Sequence, residues 1–276
     1  MFQCPHMKLS FSTLGCPDWS LEQVIARAAQ WGYDGVEIRG IQGELDLTRA
    51  EAFSDRKIND TRRRLVDHGI EICCLGSSSQ FHMEDVRERQ ENVDSARAHV
   101  ELAERLHVPF VRVFGDRFPD PYSKAACIDR VGEALQALSR FAGEVGVRIV
   151  LETHGDFTLS SDIAAVMKRA ESPYVGVLWD THHPYRTSGE SVEITIKQLR
   201  PWIWHTHFKD SLPEGDGHRY VLPGQGDVPI PSFVERLRAI GYTGYLSFEW
   251  EKRWHPEIEE PEVAFPRYVQ YMQAYL

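Results

Sequence analysis

Residues 148–157 read RIVLETHGDF, residues 175–184 read VGVLWDTHHP, and residues 203–210 read IWHTHFKD. Each opens on a short apolar, β-rich run and ends on acidic or imidazole side chains. Residues 161–169 and 192–199 between them carry helical patterns, so this part of the chain reads βαβαβ. Such units imply parallel strands joined by right-handed crossovers.

The alternation continues in both directions. Upstream, strands are expected at 9–13, 35–39, 70–75 and 110–114, and helices at 20–31, 55–68, 85–107 and 125–145. The first of these helices opens on a capping-box pattern, Ser20 with Gln23, and stops at Gly32. In the third, Val93, Ala96, Val100 and Ala103 recur at helical spacing. Downstream come a helix at 230–240, a strand at 244–250 and a helix at 261–276, with Pro261 suited to its first turn. Eight strands and eight helices in one unbroken series predict a single (β/α)8 TIM barrel over 8–276, with residues 1–7 as an N-terminal tail. The alternative is a doubly wound open sheet. A dinucleotide-binding version lacks its fingerprint, because GCPDWS (15–20) follows the first strand instead of GxGxxG.

Length and composition agree with one large domain. The chain has 276 residues, 42% hydrophobic and 26% charged, with 31 Lys+Arg against 41 Asp+Glu and a formal net charge of −10. That acidity argues against a nucleic-acid partner, since phosphate affinity rests on clustered Lys and Arg. Five cysteines, two of them adjacent (Cys73, Cys74), suit neither a disulfide framework nor a CxxC metal site. No run approaches the ~20 apolar residues of a membrane span, and MFQCPHMKLSF (1–11) lacks signal-peptide character. The expected setting is cytoplasmic.

In a barrel of this kind the active site lies at the C-terminal ends of the strands. Glu152, Asp180, His207 and Glu249 stand there, separated by 28, 27 and 42 residues. The first two separations are each about one βα repeat, which places the residues on neighbouring strands. Three carboxylates and one imidazole in an arc suit a divalent ion with mostly oxygen ligands: Mn²⁺ foremost, with Co²⁺, Mg²⁺ or Zn²⁺ as alternatives. Without a cation, the three carboxylates would repel and raise one another's pKa values. His205 shares strand parity with His207 and is expected deeper, supporting it.

Other candidates face the same interior. Glu37 and Arg39 share parity at the end of the second strand, as substrate groups or as a buried ion pair with each other. Arg112 is a weaker candidate. Lys209 and Asp210 either bind substrate or pair together. Trp250, Arg253, Trp254 and His255 either meet a polyol ring at the pocket mouth or form a solvated loop. The LPGQGD loop (222–227) either cradles phosphate or turns the chain. Tyr268, Tyr271 and Tyr275 either meet a second copy of the chain in a homo-oligomer or pack on the barrel.

GVEIR (35–39), LETH (151–154), WDTHHP (179–184), HTHFKD (205–210) and GYLSFEWE (244–251), in this order, resemble the xylose-isomerase-like barrel superfamily. The likeness is strongest to the sugar phosphate isomerase/epimerase group, which includes ketose 3-epimerases and inosose-processing enzymes. It implies metal ligation by Glu152, Asp180, His207 and Glu249 and substrate contact by His183. The chemistry it implies is isomerisation or epimerisation of a sugar, keto-sugar or polyol through an enediolate, with Glu152 and Glu249 as the acid/base pair. A lyase or dehydratase on a keto-sugar or keto-inositol is the alternative. Less favoured are a non-catalytic sugar-binding protein and an apurinic-endonuclease-like nuclease. The nuclease needs three metals and extra ligands on earlier strands, whereas His82 and His99 fall in a loop and a helix.

Overall fold

A computed structural model of the chain describes residues 7–119 and 123–276. The first signals to check are local. Ser20 accepts from the Gln23 amide while the Gln23 side chain accepts from the Ser20 amide, which fixes the start of α1 (Leu21–Trp31). Asp85 caps α3 (Val86–Leu106) by accepting from the Arg87 and Glu88 amides. In both helices the apolar positions form one buried stripe, Val24, Ile25 and Ala28 in the first and Ala96, Val100 and Ala103 in the second.

The strands β1 (Lys8–Ser12), β2 (Gly35–Ile38), β3 (Glu71–Gln80), β4 (Phe110–Phe114), β5 (Arg148–Glu152), β6 (Val175–Asp180) and β7 (Ile203–Phe208) all pair in parallel. An antiparallel hairpin, β8 (Asp210–Glu214) and β9 (Gly217–Val221), follows β7. The last barrel strand is β10 (Tyr245–Phe248), which lies between β7 and β1. The β1–β10 pairing closes the barrel, so the open-sheet alternative is excluded.

Alternation along the strands divides the core in two. Val36, Ile38, Val111, Val113, Ile149 and Leu151 point outward into the large cluster under the helices. Cys74, Val150, Leu178 and Tyr245 point inward and plug the barrel floor, with Phe110 and Trp204 against them. Polar side chains take over above this plug. The remaining helices wrap the barrel: α2 (Ile58–His68), α4 (Lys124–Glu144), α5 (Ser160–Ala170), α6 (His182–Ser188), α7 (Val192–Leu199), α8 (Ile230–Ala239) and α9 (Pro261–Met272).

Several expectations need correction. Nine α-helices, not eight, are present among the described residues, because the short α6 follows Asp180 directly. β3 runs on to Gln80 rather than ending at residue 75: Ser77 Oγ donates to the Arg112 carbonyl, tying the GSSS segment to β4. Met7, assigned to the tail, is buried in the core, while residues 1–6 lie outside the described residues. Tyr268 is not exposed; its ring stacks on Phe248 with centroids 4.5 Å apart. Tyr271 and Tyr275 are partly buried and pack against the same core. Among the described cysteines, all four are free and buried. No described helix is long and apolar enough to cross a membrane.

Candidate active site

Strand register gathers the candidate ligands before any side-chain argument is needed. Asp180 and His207 are direct partners between β6 and β7, and His207 pairs with Ser247 on β10, two residues short of Glu249. Glu152 ends β5 opposite Leu178. Glu249 follows β10, with its amide bonded to the Phe208 carbonyl. One ligand atom from each of Glu152, Asp180, His207 and Glu249 lies within 4.8 Å of every other, and all four residues are buried.

Partners around the cluster fix the orientation of these side chains. Glu37 Oε2 lies 2.8 Å from His207 Nε2 and 2.8 Å from His205 Nε2, so one carboxylate oxygen serves both imidazoles. That leaves His207 Nδ1 facing Glu249 Oε1 at 3.3 Å and Glu152 Oε1 at 3.4 Å. Asp180 Oδ1 accepts from the amides of His182 and His183 at the start of α6, while Oδ2 turns into the site. Thr153 Oγ1 accepts from the Asp180 amide and donates to the Asp180 carbonyl, locking that strand end. Lys209 reaches Asp180 at 2.8 Å, Glu249 at 2.5 Å and Glu251 at 2.6 Å. Tyr220 of the hairpin donates to Glu251 and closes this side.

The electrostatics follow from burial and these contacts. Burial works to raise the Glu37 carboxyl, but His207 and His205 hold it well below the usual carboxylate range. Burial opposes charge on His207 too, yet Glu249, Glu37 and Glu152 raise it well above the ordinary imidazole range. Asp180 goes the other way: burial pushes it up to about 6 against the pull of Lys209, with Glu249 and Glu152 adding to the rise. Burial and Lys209 keep His183 neutral, and its Nε2 sits 3.4 Å from Asp180 Oδ2.

A cavity of about 250 Å³ opens above these residues, lined by Glu152, Glu249, His183, Arg39, Arg112 and His154 among others. The predicted site residues therefore fall into two layers. Glu152, His183, Arg39 and Glu249 line the cavity, and Lys209 stands just behind Glu249. Glu37 and His205 lie beneath it, fully buried, and do not line it.

The expected pairs are not made. Glu37 bonds the two imidazoles rather than Arg39, and Arg39 donates to Ser78. Asp210 turns away from Lys209 and accepts from the amides of Ser211, Gly224, Gly226 and Val228. These bonds organise the LPGQGD loop around a carboxylate, so its amides turn the chain and offer no phosphate cradle. Trp250 is buried away from the pocket, donating to the Glu259 carbonyl, while Trp254 lines the cavity.

Two further cavity residues were not singled out from sequence: His154 and Asp116. Asp116 has a left-handed backbone, φ 71°, and lies 3.4 Å from His154 Nδ1. Gly155 makes this possible, because a Cβ there would come within 2.2 Å of the Asp116 carbonyl oxygen. Burial disfavours charge on His154, but Asp116 and Glu152 raise it above the ordinary range. The available signal was LETH itself, which places an imidazole just past a strand end.

Known proteins agree with this architecture. A family model described as xylose isomerase-like TIM barrel matches residues 25–274. A fructoselysine 3-epimerase from Shigella flexneri is 22% identical over 263 residues, covering 90% of this chain and 88% of the relative. An inosose isomerase from Bacillus velezensis is 26% identical over 257 residues, covering 88% of each. The crystal structure of an IolI protein with a bound zinc atom superposes with a TM-score of 0.81 at 22% identity, covering 98% of this chain and 99% of that one.

Proposed function

Because the chain belongs to the xylose isomerase-like TIM barrel family, we propose that it is a divalent-metal-dependent isomerase or epimerase of a small sugar, keto-sugar or polyol. The observation that carries this reading is the convergence of Glu152, Asp180, His207 and Glu249 within 4.8 Å. The donor set fits a cation. His207 Nδ1 is buried without a hydrogen-bond partner, and Glu37 anchors the opposite side of the imidazole. Burial first, and then Glu249 and Glu152, raise Asp180 to about 6, and a positive charge in the site would favour its ionised form. These four residues would hold the ion, with Mn²⁺ the favoured occupant of a mixed carboxylate–imidazole set and Co²⁺, Mg²⁺ or Zn²⁺ also compatible. When bound, it would supply positive charge that favours an enediolate on the substrate.

The chain's own residues do the proton work. Glu152 ends β5 and Glu249 follows β10, with β6 and β7 between them in the barrel. One takes the α-proton and the other returns a proton on the second face. Lys209 holds Glu249 in place through a direct ion pair. His183 is neutral and lines the cavity, so it can donate a hydrogen bond to a substrate oxygen. The cavity of about 250 Å³ has room for about eight waters. That suits a monosaccharide-sized guest.

The test is proton exchange. The full chain, loaded with Mn²⁺, is incubated in heavy water with a panel of ketoses and keto-inositols. Deuterium uptake at the carbon next to the carbonyl, with no loss of water from the mass, is the expected result. No uptake from any member with any of the four ions would overturn the reading. One observation favours a second outcome. His154, 3.4 Å from Asp116 at the cavity wall and raised by that carboxylate against the effect of burial, is an additional group that could protonate a leaving hydroxyl. Product lighter by one water would identify a dehydratase.

A further inference from the structure

Beside the carboxylate cluster, two arginines enter the same cavity. Arg39 follows β2 and Arg112 lies on β4, and both line the cavity wall. They are 7% and 1% exposed, respectively. Gly76 of β3 separates them: a Cβ there would come within 2.8 Å of Arg112 Nη2 and 2.9 Å of Arg39 Cδ. The absent side chain is what lets the two chains cross β3 side by side.

Buried arginines ordinarily saturate their five N–H donors. These do not. Arg112 Nε and Nη1 have no hydrogen-bond partner, and neither does Arg39 Nη1. Arg112 makes one ion-pair contact, to Glu152 Oε2 at 3.3 Å, and its guanidinium rests on the Phe114 ring at 3.9 Å. Arg39 donates to Ser78 Oγ at 2.9 Å and forms no ion pair among the described residues. Two like charges are thus buried close together without carboxylate forks to match them, at a cost the fold bears only if an acceptor arrives. A planar guanidinium fork matches the oxygens of a carboxylate or a phosphate.

We propose that Arg39 and Arg112 seat an anionic group of the substrate, a carboxylate or a phosphate monoester, in the cavity that Glu152 and Glu249 also line. This inference rests on the cavity being the substrate site. It narrows the substrate from a neutral sugar to a hydroxy-ketone bearing one anionic end. The anion would sit beside Glu152 through Arg112, so its position sets which carbon is presented to the acid/base pair.

The experiment uses the full chain treated with chelator, so that metal ligation does not contribute. Binding of inorganic phosphate, D-glycerate and neutral erythritol is measured by titration calorimetry. The wild type should bind at least one of the two anions and bind erythritol much more weakly. The tighter anion identifies the source, phosphate for a phosphorylated substrate and glycerate for a sugar acid. R39M and R112M should each weaken that binding about tenfold or more, and R200M, at an exposed site, should leave it unchanged. If R112M does not fold by circular dichroism, R112K keeps the charge, loses the fork and should still weaken binding. The proposal is overturned if neither anion binds the wild type, if the arginine variants bind as well as it does, or if erythritol competes equally. Loss of proton exchange with anion binding intact would remove the isomerase reading alone; the reverse result would remove this one alone.

Discussion

The two halves of the barrel mouth are built on opposite plans. β5, β6 and β7 carry Glu152, Asp180 and His207, and Glu249 follows β10; each is braced from behind by Arg112, α6 amides, Glu37 or Lys209. β2, β3 and β4 carry Arg39, Gly76 and Arg112, where guanidinium donors are left without partners. One half is a preorganised oxygen-rich nest, whose geometry is set before anything binds. The other is a pair of unsatisfied donors. A substrate entering such a cavity is oriented by the difference, its electron-rich reacting end toward one wall and its charged end toward the other.

The largest effect that would break this comparison is expected at the carboxylates. Glu152→Gln and Glu249→Gln should each slow α-proton exchange by about 10²–10⁴-fold, the usual value of a positioned acid or base. Deuterium uptake followed by NMR checks it, and exchange surviving in either variant would reduce the pair to a single functional group. Next is His207→Ala. Metal content after extensive dialysis should fall from one equivalent per chain to near zero. Removing one partner of the buried Glu37 contact should also cost about 3–5 kcal/mol of stability, read by denaturant unfolding.

pH offers a third way to sharpen the comparison. The raised His207 value means its stabilisation is complete below about pH 6.5, the unfolded imidazole value, and is lost as pH rises through the folded one. The metal-free chain should therefore melt at lower temperature as the solution becomes alkaline. A bound divalent ion, which takes the proton's place, should flatten that slope in a thermal scan. A smaller and more local effect is expected from Gly76→Ala. Its methyl group would displace Arg112 and Arg39, weakening anion binding severalfold, about 1 kcal/mol, while leaving metal content unchanged. If metal is lost as well, the two halves are not independent. Last, Asp116→Asn should bring His154 back toward the ordinary imidazole range, seen in an NMR titration of its ring proton.

The barrel was legible because its signal is repeated: a strand that ends on a polar residue, followed by an apolar helical stripe, recurs along the chain. Repetition also made the ligand half legible, since Glu152, Asp180 and His207 stand about one βα unit apart. The hairpin after β7 was not seen. Its LPEGDGHRYV sequence (212–221) offers no apolar alternation; the hairpin is a short antiparallel ladder, tied to the site by Tyr220 donating to Glu251. α6 was hidden because it begins on the two histidines that follow Asp180. Arg39 and Glu37 were correctly read as inward-facing, but parity cannot say which inward groups meet. Glu37 chooses two imidazoles from β7, about 170 positions away in sequence. The incompletely satisfied guanidinium of Arg112 and the left-handed turn at Asp116 are properties of neighbours, and no single stretch of sequence contains them.

The β1–β10 seam has a consequence for how the protein is made. Lys8 lies opposite Tyr245, and Glu249, one residue beyond β10, completes the ligand set. Contacts of such high sequence separation form late, and a chain emerging from the ribosome cannot close its barrel until its final strand is out. Cation capture is thereby tied to the emergence of β10: a nascent chain stalled before it holds three ligands on an open edge, and only one that has passed Glu249 can hold four.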